Sequence, residues 1–408
     1  MQCGLLGEKL GHSYSPQIHR LLGDYAYSLF EVSPDALGAF LRQGDFSGLN
    51  VTIPYKKAVI PYCAALSPRA KAVGAVNTIV RRPDGTLIGH NTDYFGFERM
   101  LASTGLSAAG KKALVLGSGG AANTAVAVLS AAGAEVVVIS RTGENNYQNL
   151  DRHADARLLV NTTPVGMFPN VEESPVSLEP FGALEGVLDV IFNPARTKLL
   201  MDAQRRGLVT CGGLQMLVSQ AKESAEWFTG HAIDDGVIPD ILRTIRAQTE
   251  NIILIGMPGC GKTTVGQILA EKTGRPFRDA DAEIEAKAGM SIPEIFARCG
   301  EDGFRALETQ VLAELGRQSG CIIATGGGCV TRACNYPLLH RNGVLFCLNR
   351  GIDHLPTAGR PLSQNGDLQE MYRIRRPLYQ RFADVQIDCT GTPEAAAMAI
   401  LASMEGET

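Results

Sequence analysis

The stretch NIILIGMPGCGKTTVGQILAEKTG, residues 251–274, decides the fold of the C-terminal part of the chain. An apolar run precedes a glycine-rich loop, and a helix-forming run follows it. Gly256, Gly261, Lys262 and Thr263 fit the pattern G-x-x-x-x-G-K-[ST], which predicts a site for a nucleoside triphosphate. In such a loop backbone N–H groups wrap the phosphates, the lysine reaches the β- and γ-oxygens, and the threonine ligates Mg²⁺. The predicted nucleotide contacts are Gly259, Cys260, Gly261, Lys262, Thr263 and Thr264.

A second glycine-rich loop lies in KKALVLGSGGAANTAVAVLSAAGAEVVVISR, residues 111–141, between an apolar strand and a helix that leads to another strand. Gly117, Gly119 and Ala122 match G-x-G-x-x-A, the turn that brings a pyrophosphate to a helix N-terminus. Arg141, at the end of the second strand, suits a 2′-phosphate and favours NADP over NAD. Glu144 nearby acts against that preference, since a carboxylate repels a phosphate.

Bulk composition narrows the class of protein. The 408 residues are enough for two or three domains, and 45% hydrophobic with 20% charged residues is ordinary for a soluble globular chain. A net charge of −4 carries no electrostatic signature of nucleic-acid or membrane binding. Ten cysteines without a C-x-x-C pair or metal-ligand spacing predict buried thiols in a reducing compartment. The first residues lack a basic segment followed by a long apolar core, so we expect no signal peptide and a cytoplasmic protein.

Short polar strings precede the second glycine-rich loop and others follow it. They are HSYSP (12–16), NVTIPYKK (50–57), AVNT (75–78), HNTDYFG (90–96), NTTPVGM (161–167) and GGLQMLVSQA (212–221). Together with GSGGAANTA (117–125) they resemble, in order, the shikimate dehydrogenase family from residue 1 to about 246. The resemblance implies that Lys56 and Asp93 form a catalytic pair. Hydride reduction of a ketone leaves an alkoxide, which a lysine ammonium can protonate while a carboxylate orients it.

The same resemblance implies the ligand contacts. Hydroxyls of Ser13, Ser15 and Thr52 would bind a substrate carboxylate, and Asn77, Asp93 and Gln220 the ring hydroxyls. The implied dinucleotide contacts are Gly117, Ser118, Gly119, Gly120, Ala121, Ser140, Arg141, Thr142 and Gly213. Two features depart from the family. Phe192 stands where Tyr is usual, which removes one hydroxyl donor worth roughly 1 kcal/mol, and RTGENN (141–146) lacks a second arginine for the 2′-phosphate.

The part of the chain after the triphosphate loop carries five further strings. FRDADAEIE (277–285), GEDGFRALE (300–308), IATGGG (323–328), GRPL (359–362) and RRPLYQRFAD (375–384) resemble shikimate kinase over about residues 251–390. The family usually has a longer segment with an adenine-stacking arginine where this chain has RGIDHLPTA (350–358). We therefore expect weaker lid closure or nucleotide affinity.

The kinase resemblance also implies residue roles. Asp281 would orient and help deprotonate the acceptor hydroxyl, and Asp279 would help to hold Mg²⁺ through water. Arg360 would stabilise the transferring phosphoryl group together with Lys262. The implied substrate contacts are Asp281, Arg305, Gly326, Gly327, Gly328 and Arg375.

The predicted architecture is α/β throughout, with a two-domain dehydrogenase fused to a P-loop kinase that has a central parallel sheet. We expect a substrate domain over 1–93, completed by helices at about 214–246, a Rossmann NADP domain over 94–213, and a kinase domain over 250–408.

The predicted activities are NADPH-dependent reduction of 3-dehydroshikimate to shikimate and phosphorylation of shikimate with ATP and Mg²⁺. Two alternatives stay open: an oxidative, NAD-dependent quinate/shikimate dehydrogenase, and a shikimate-sensing regulator with a defunct dehydrogenase half. The predicted partners are small molecules, with no nucleic acid and no membrane.

Overall fold

The computed structural model describes residues 1–11, 13–351 and 368–406. Within them the chain folds as two compact units. Unit 1 comprises Met1–Phe192 and Thr197–Ile245, and unit 2 comprises Asn193–Arg196 and Arg246–Thr408. None of the helices in the described ranges has the length and apolar content that crossing a bilayer requires.

The first sheet of unit 1 has six strands in the order β2-β1-β3-β5-β6-β4. The strands are β1 Gln2–Gly7, β2 Ala26–Glu31, β3 Gly48–Val51, β4 Ala65–Leu66, β5 Thr78–Arg81 and β6 Leu87–His90. The helices of this region are α1 Ser15–Leu22, α2 Leu37–Gln43, α3 Pro68–Val73 and α4 Asp93–Ser103. Strand β1 pairs in parallel with β2 and β3, whereas β5 pairs antiparallel with β3 and β6. The carboxyl ends of β1 and β3 therefore lie at one edge of the sheet.

The second sheet of unit 1 is parallel, with five strands in the order β11-β10-β9-β7-β8. Its elements are β7 Lys112–Leu116, α5 Gly120–Ala131, β8 Glu135–Ile139, β9 Leu158–Asn161, β10 Gly186–Asp189, α6 Lys198–Arg205 and β11 Val209–Gly212. Two helices follow, α7 Leu214–Thr229 and α8 Val237–Thr249. Strand β7 has β8 on one side and β9 on the other, so the chain reverses direction of winding there. In open α/β sheets a ligand crevice forms at the carboxyl end of such a strand.

The loop between β7 and α5 explains why the sequence places glycine there. Gly117 has φ 111°, a conformation that few residues other than glycine adopt. A Cβ at this position would also lie 2.7 Å from Thr162 Oγ1. The turn is therefore tight enough to direct the N-terminus of α5 toward the crevice.

Unit 2 contains a parallel five-stranded sheet in the order β13-β14-β12-β15-β16. Its strands are β12 Asn251–Ile255, β13 Phe277–Asp279, β14 Ile322–Ala324, β15 Gly343–Asn349 and β16 Val385–Asp388. Its helices are α9 Lys262–Thr273, α10 Ala280–Ala288, α11 Ile292–Gly316, α12 Asn335–His340, α13 Leu368–Phe382 and α14 Pro393–Gly406. Every residue of β12 is buried, which is the pattern of a central parallel strand. The triphosphate loop thus starts from the middle of the sheet.

Asn251, the first residue of β12, fixes where this strand starts. Its side chain is fully buried, donates to Gln318 O at 2.7 Å and accepts from Cys321 N at 2.8 Å. Both partners belong to the segment that leads into β14, so one amide group holds two neighbouring strands in register.

We predict that Asn251→Ala destabilises unit 2 by about 2 kcal/mol, because it leaves the half-buried Gln318 carbonyl and the buried Cys321 N–H without the asparagine side chain as a partner. Thermal unfolding of the purified protein measures this as a lower transition temperature. The matched control is Asn349→Ala, which removes an exposed asparagine at the end of β15. Equal stability of the two variants would contradict the role given to Asn251.

Candidate active sites

A cavity of about 380 Å³ opens in unit 1 and will be called the unit-1 cavity. It is lined by nine residues that the sequence analysis selected: Ser13, Ser15, Thr52, Lys56, Asn77, Asp93, Ala121, Gly213 and Gln220. These residues come from both sheets of the unit and from the helix that follows the second sheet. The fold therefore brings together positions that are up to two hundred residues apart in sequence.

Lys56 and Asp93 form an ion pair in this cavity, with 2.7 Å between Nζ and Oδ2. Asp93 is the first residue of α4, where the helix dipole favours a negative charge. The lysine side chain runs past the glycine-rich loop, since a Cβ on Gly120 would lie 3.9 Å from Lys56 Cδ. The pair thus lies between the first sheet and the N-terminus of α5.

Asn77 is held by a buried polar network. Its Oδ1 accepts from Thr92 N at 2.7 Å, and its Nδ2 donates to Thr92 Oγ1 at 3.0 Å and to Gln220 Oε1 at 3.5 Å. Behind it, Thr78 Oγ1 lies 3.1 Å from Ser224 Oγ. Sequence analysis gave no role to Thr78 and Thr92, although AVNT (75–78) and HNTDYFG (90–96) contain them, and it missed Ser224, which stands in no quoted string. A saturated network of this kind fixes the orientation of the side chains that face the cavity.

The predicted cofactor residues occupy the carboxyl edge of the second sheet. Gly119 is the N-cap of α5, and Gly120 and Ala121 start its first turn. Ser140, Arg141 and Thr142 follow β8 and do not line the unit-1 cavity. Arg141 is exposed to solvent. This placement, beyond the strand that neighbours β7, is where a Rossmann fold receives the ribose end of a dinucleotide.

Asp189, at the end of β10, is a fully buried carboxylate that sequence analysis missed, although the string DVIFNP contains it. Its Oδ1 accepts from Asn161 Nδ2 and from Ile191 N, each at 3.1 Å, and its Oδ2 accepts from Thr197 Oγ1 at 2.7 Å. Ile191 lies between two residues that line the unit-1 cavity. Asp189 therefore holds the loop that forms one wall of the cavity. Burial raises the pKa of Asp189 to about 7, against the opposing effect of these hydrogen bonds.

A larger cavity, of about 660 Å³, lies in unit 2 and will be called the unit-2 cavity. The predicted residues that line it are Gly259, Gly261, Lys262, Thr263, Thr264, Asp279, Asp281, Arg305, Gly326, Gly327, Gly328 and Arg375. Cys260 is buried within the loop and does not line the cavity. Arg360 was predicted to act here and lies outside the described residues. Sequence analysis missed Glu308, Arg350, Phe296 and Phe304, which line the cavity as well.

Lys262 is anchored at the mouth of the triphosphate loop. Its Nζ donates to Gly256 O at 2.9 Å and to Met257 O at 3.1 Å. The residue is buried, so its charge acts in a medium of lower dielectric than water. The amine is therefore held beside the backbone N–H groups that would surround the phosphates.

Asp279, the last residue of β13, contacts the threonine of the triphosphate loop. Thr263 Oγ1 donates to Asp279 Oδ2 at 2.9 Å, and Asp279 caps α10 by accepting from Asp281 N at 3.0 Å. Burial raises the pKa of Asp281, and the neighbouring Asp279 carboxylate adds to the effect. A hydroxyl and one carboxylate fit Mg²⁺ that is also held by phosphate oxygens and water. No cluster of three or more protein ligands for a metal occurs in the described part of the chain.

Arg305 and Glu308 form a buried ion pair on α11, with 2.8 Å between Nη1 and Oε2. Gly328 makes room for the guanidinium, since a Cβ there would lie 2.1 Å from both Nη atoms. Glu308 Oε1 has no hydrogen-bond partner within the described residues. A Cβ on Gly326 would lie 2.9 Å from this oxygen and 2.8 Å from Asp281 Oδ1. Burial raises the pKa of Glu308, against the effect of Arg305.

The glycine string is also fixed from α13. Arg375 Nη1 donates to Gly327 O at 3.1 Å, and the hydroxyl of Tyr379 donates to the same oxygen. Two arginines and a glycine backbone thus face one cavity with the carboxylate of Asp281. That arrangement suits a small ligand that carries both a carboxylate and hydroxyl groups.

Comparison with known proteins supports the assignment of both halves. The shikimate kinase family model matches residues 258–405, and the model for the shikimate dehydrogenase substrate binding domain matches residues 5–79. A shikimate dehydrogenase (NADP(+)) of Clostridium beijerinckii is 37% identical over 243 residues, which covers 55% of this chain and 90% of the relative. The corresponding enzyme of Oleidesulfovibrio alaskensis is 41% identical over 254 residues, with 56% and 90% covered.

Two solved structures agree with the fold of unit 1. A chorismate mutase/shikimate 5-dehydrogenase fusion protein from Clostridium acetobutylicum has a TM-score of 0.57 at 36% identity and covers 60% of this chain and 96% of its own. Shikimate 5-dehydrogenase from Thermus thermophilus, in complex with NADP(H) and shikimate, has a TM-score of 0.55 at 31% identity, with 60% and 99% covered.

The folds and cavities define a dinucleotide-dependent oxidoreductase unit and a P-loop phosphotransferase unit in one chain. The α/β architecture predicted from the sequence is confirmed. The chain belongs to the shikimate dehydrogenase family, and residues 258–405 carry a shikimate kinase domain.

The pKa of Asp189 leads to a prediction about stability. Between its ordinary value of 3.8 and its folded value of about 7, the folded protein keeps a proton that the unfolded chain releases. Stability therefore falls as pH rises through this window and levels off above it. Asp189→Asn has no such proton and should not lose stability in this way. We therefore expect the melting temperature of the variant minus that of the unmodified protein to be roughly a few degrees higher at about pH 7 than at about pH 5.

Thermal unfolding across this pH range measures the effect. The control is Asp151→Asn, which replaces an exposed carboxylate of the same unit and should show a constant difference. A pH-independent difference for Asp189→Asn would show that the buried carboxyl group does not titrate there.

Proposed function

We propose that unit 1 reduces 3-dehydroshikimate to shikimate with NADPH, and that unit 2 then phosphorylates shikimate with ATP and Mg²⁺. The observation that carries the proposal is the Lys56–Asp93 pair, which faces a polar cavity beside a dinucleotide-binding loop. A carboxylate-binding arginine set beside a triphosphate loop in unit 2 supports the second step. The product of the first reaction is the acceptor of the second. The domain ranges of the sequence analysis, 1–93, 94–213 and 250–408, belong to this proposal.

In unit 1 the residues divide into a reacting pair and a binding set. NADPH, when bound, supplies a hydride to the substrate carbonyl. Lys56 gives a proton to the oxygen that becomes a hydroxyl, and Asp93 holds the ammonium in place. Asn77 and Gln220 bind ring hydroxyls, and the buried network behind Asn77 keeps them oriented. Ser13, Ser15 and Thr52 hydrogen-bond the carboxylate.

In unit 2 the cavity supplies positioning and charge, which is what phosphoryl transfer requires. Asp281, whose pKa burial raises, accepts the proton of the attacking hydroxyl. Arg305 and Arg375 bind the substrate carboxylate from the side of the glycine string. Lys262 contacts the phosphates, and Thr263 and Asp279 hold Mg²⁺ directly and through water.

The two alternatives have less support. A regulator with a defunct reductase half does not need the Lys56–Asp93 ion pair, which is intact. An oxidative, NAD-dependent enzyme would favour a carboxylate after β8, where this chain has Arg141. The relatives named above are NADP(+) enzymes.

We predict a reciprocal separation of the two activities. Lys56→Ala should lower the rate of 3-dehydroshikimate reduction by about 100-fold or more, because it removes the proton donor, and should leave phosphorylation of shikimate unchanged. Lys262→Ala should do the reverse. Steady-state assays of both reactions on each purified variant measure this.

The control for the first variant is Lys57→Ala, which removes the exposed lysine next to Lys56. Reduction that survives in Lys56→Ala would mean that another group gives the proton. An unmodified enzyme without activity toward 3-dehydroshikimate or toward shikimate would refute the corresponding half of the proposal.

Coenzyme choice gives a further prediction. Arg141→Ala should raise KM for NADPH by about tenfold and leave KM for NADH unchanged, because only NADPH carries the 2′-phosphate. The control, Arg152→Ala, removes an exposed arginine from the same region and should have no effect. Equal KM changes for both coenzymes would contradict a 2′-phosphate contact.

A further inference from the structure

The unit-1 cavity contains a second lysine that neither the motifs nor the mechanism uses. Lys9 lies in the loop between β1 and α1 and lines the cavity together with Ser13, Ser15 and Thr52. Among the described residues that line this cavity, Lys9 and Lys56 are the only cationic ones. The three hydroxyl residues are neutral, so Lys9 introduces a charge among the groups proposed to bind the carboxylate.

Only one of these two cations is free to neutralise a ligand. Lys56 Nζ is paired with Asp93 Oδ2 at 2.7 Å and acts at the reacting oxygen in the proposed mechanism. In the described ranges Lys9 has no ion pair, although Glu8 precedes it in sequence and Glu31 contacts the next residue, Leu10. The Glu31 carboxylate instead accepts from the backbone N–H of Leu10 at 2.8 Å. A carboxylate ligand that meets only hydroxyls keeps its full charge, whereas an ammonium compensates it.

The backbone around Lys9 is anchored on both sides. Strand β1 ends at Gly7, which is buried between β2 and β3. The site of a Cβ on Gly7 would lie 2.5 Å from Leu10 Cδ2 and 2.9 Å from Thr52 Cγ2, so Leu10 packs over the end of the strand. With Leu10 fixed by its side chain and its amide, the backbone of the neighbouring Lys9 is held at the cavity wall.

On the side of the cavity formed by the second sheet, residue 192 supplies no hydrogen-bond donor for a carboxylate. Phe192 lines the same cavity, and its ring packs against Tyr14 with 5.4 Å between ring centroids. A phenyl ring donates no hydrogen bond. The wall contributed by residue 192 therefore offers the carboxylate neither a hydroxyl nor a charge.

We propose that Lys9 determines the specificity of unit 1 for an anionic substrate by forming an ionic contact with the substrate carboxylate. The contact takes the place of the donor that Phe192 does not supply. The proposal rests on the reduction of 3-dehydroshikimate proposed above and adds a residue to its binding set. Lys9 takes no part in proton transfer, so its loss acts on substrate binding and not on the chemical step.

The test compares Lys9→Met with the unmodified full-length enzyme. We expect KM for 3-dehydroshikimate to rise about three- to fivefold with kcat and KM for NADPH nearly unchanged, as suits an ionic contact made by an exposed lysine. Lys9→Arg should retain a KM within about twofold of the unmodified enzyme, because it keeps the charge. Raising the ionic strength should raise KM of the unmodified enzyme but not that of Lys9→Met.

Three controls separate this role from others. Lys57→Met removes a neighbouring exposed lysine that does not line the cavity and should leave KM unchanged. The methyl ester of shikimate, assayed as a substrate for oxidation by NADP⁺, should have the same KM with Lys9→Met as with the unmodified enzyme. KM for shikimate in the kinase reaction should also stay constant, since that reaction uses the unit-2 cavity.

An unchanged KM for 3-dehydroshikimate in Lys9→Met would overturn the proposal, as would an equal rise for the acid and the ester. Failure of the proposed function itself has a different signature, because then the unmodified enzyme would not reduce 3-dehydroshikimate at all. If the unmodified enzyme turns over 3-dehydroshikimate normally and Lys9→Met has the same KM, only the role of Lys9 is refuted.

Discussion

In a parallel sheet all strands end at the same edge, and the loops that leave this edge must converge. Both active sites depend on this constraint. In unit 2 the triphosphate loop, Asp279 and the glycine string follow three adjacent strands, β12, β13 and β14. In unit 1 the dinucleotide loop follows β7, and Asp189 ends β10. Residues far apart in sequence thus meet without any long loop having to reach across the surface.

In the proposed reactions the two cavities bind the same kind of ligand with different side chains. Unit 2 uses two arginines, and one of them is paired with a buried glutamate. Unit 1 uses hydroxyls and amides, which a buried network keeps in place, and its reacting ammonium is already paired with a carboxylate. Unit 2 must place charge around a transferring phosphoryl group, so strong cations suit it. Unit 1 needs a single proton donor at the reacting oxygen, and the proposed Lys9 contact adds one charge to a binding set of neutral hydroxyls and amides.

Sequence analysis anticipated the fold class, and the structure places many of the motif residues that it selected along the two cavities. The order of glycine-rich loops, strands and helices follows from local patterns, so the sheets were predictable. The Lys56–Asp93 pair was expected from resemblance, and the structure brings the two side chains together. The contact between Thr78 and Ser224 was out of reach of sequence reasoning, because it spans 146 residues and Ser224 stands in no quoted string.

Glu308 and Asp189 illustrate a different limit. Glu308 stands inside GEDGFRALE, and Asp189 stands shortly before Phe192, yet nothing in either stretch shows that a carboxylate will be buried. Burial depends on the tertiary fold, and burial is what raises their pKa values. The domain ranges, the metal ligands and the roles of individual site residues remain predictions.

Glu308 Oε1, which has no hydrogen-bond partner among the residues that the structure describes, has a consequence for the design of inhibitors of unit 2. A buried carboxylate oxygen that lacks a donor has already lost its contact with water, so a compound that donates to it gains a hydrogen bond with little further desolvation. Gly326 leaves the space from which such a donor would approach, next to Asp281. An amine or amidine placed there would satisfy two acidic groups at once. Such a compound would bind unit 2 in preference to P-loop enzymes that lack this second carboxylate.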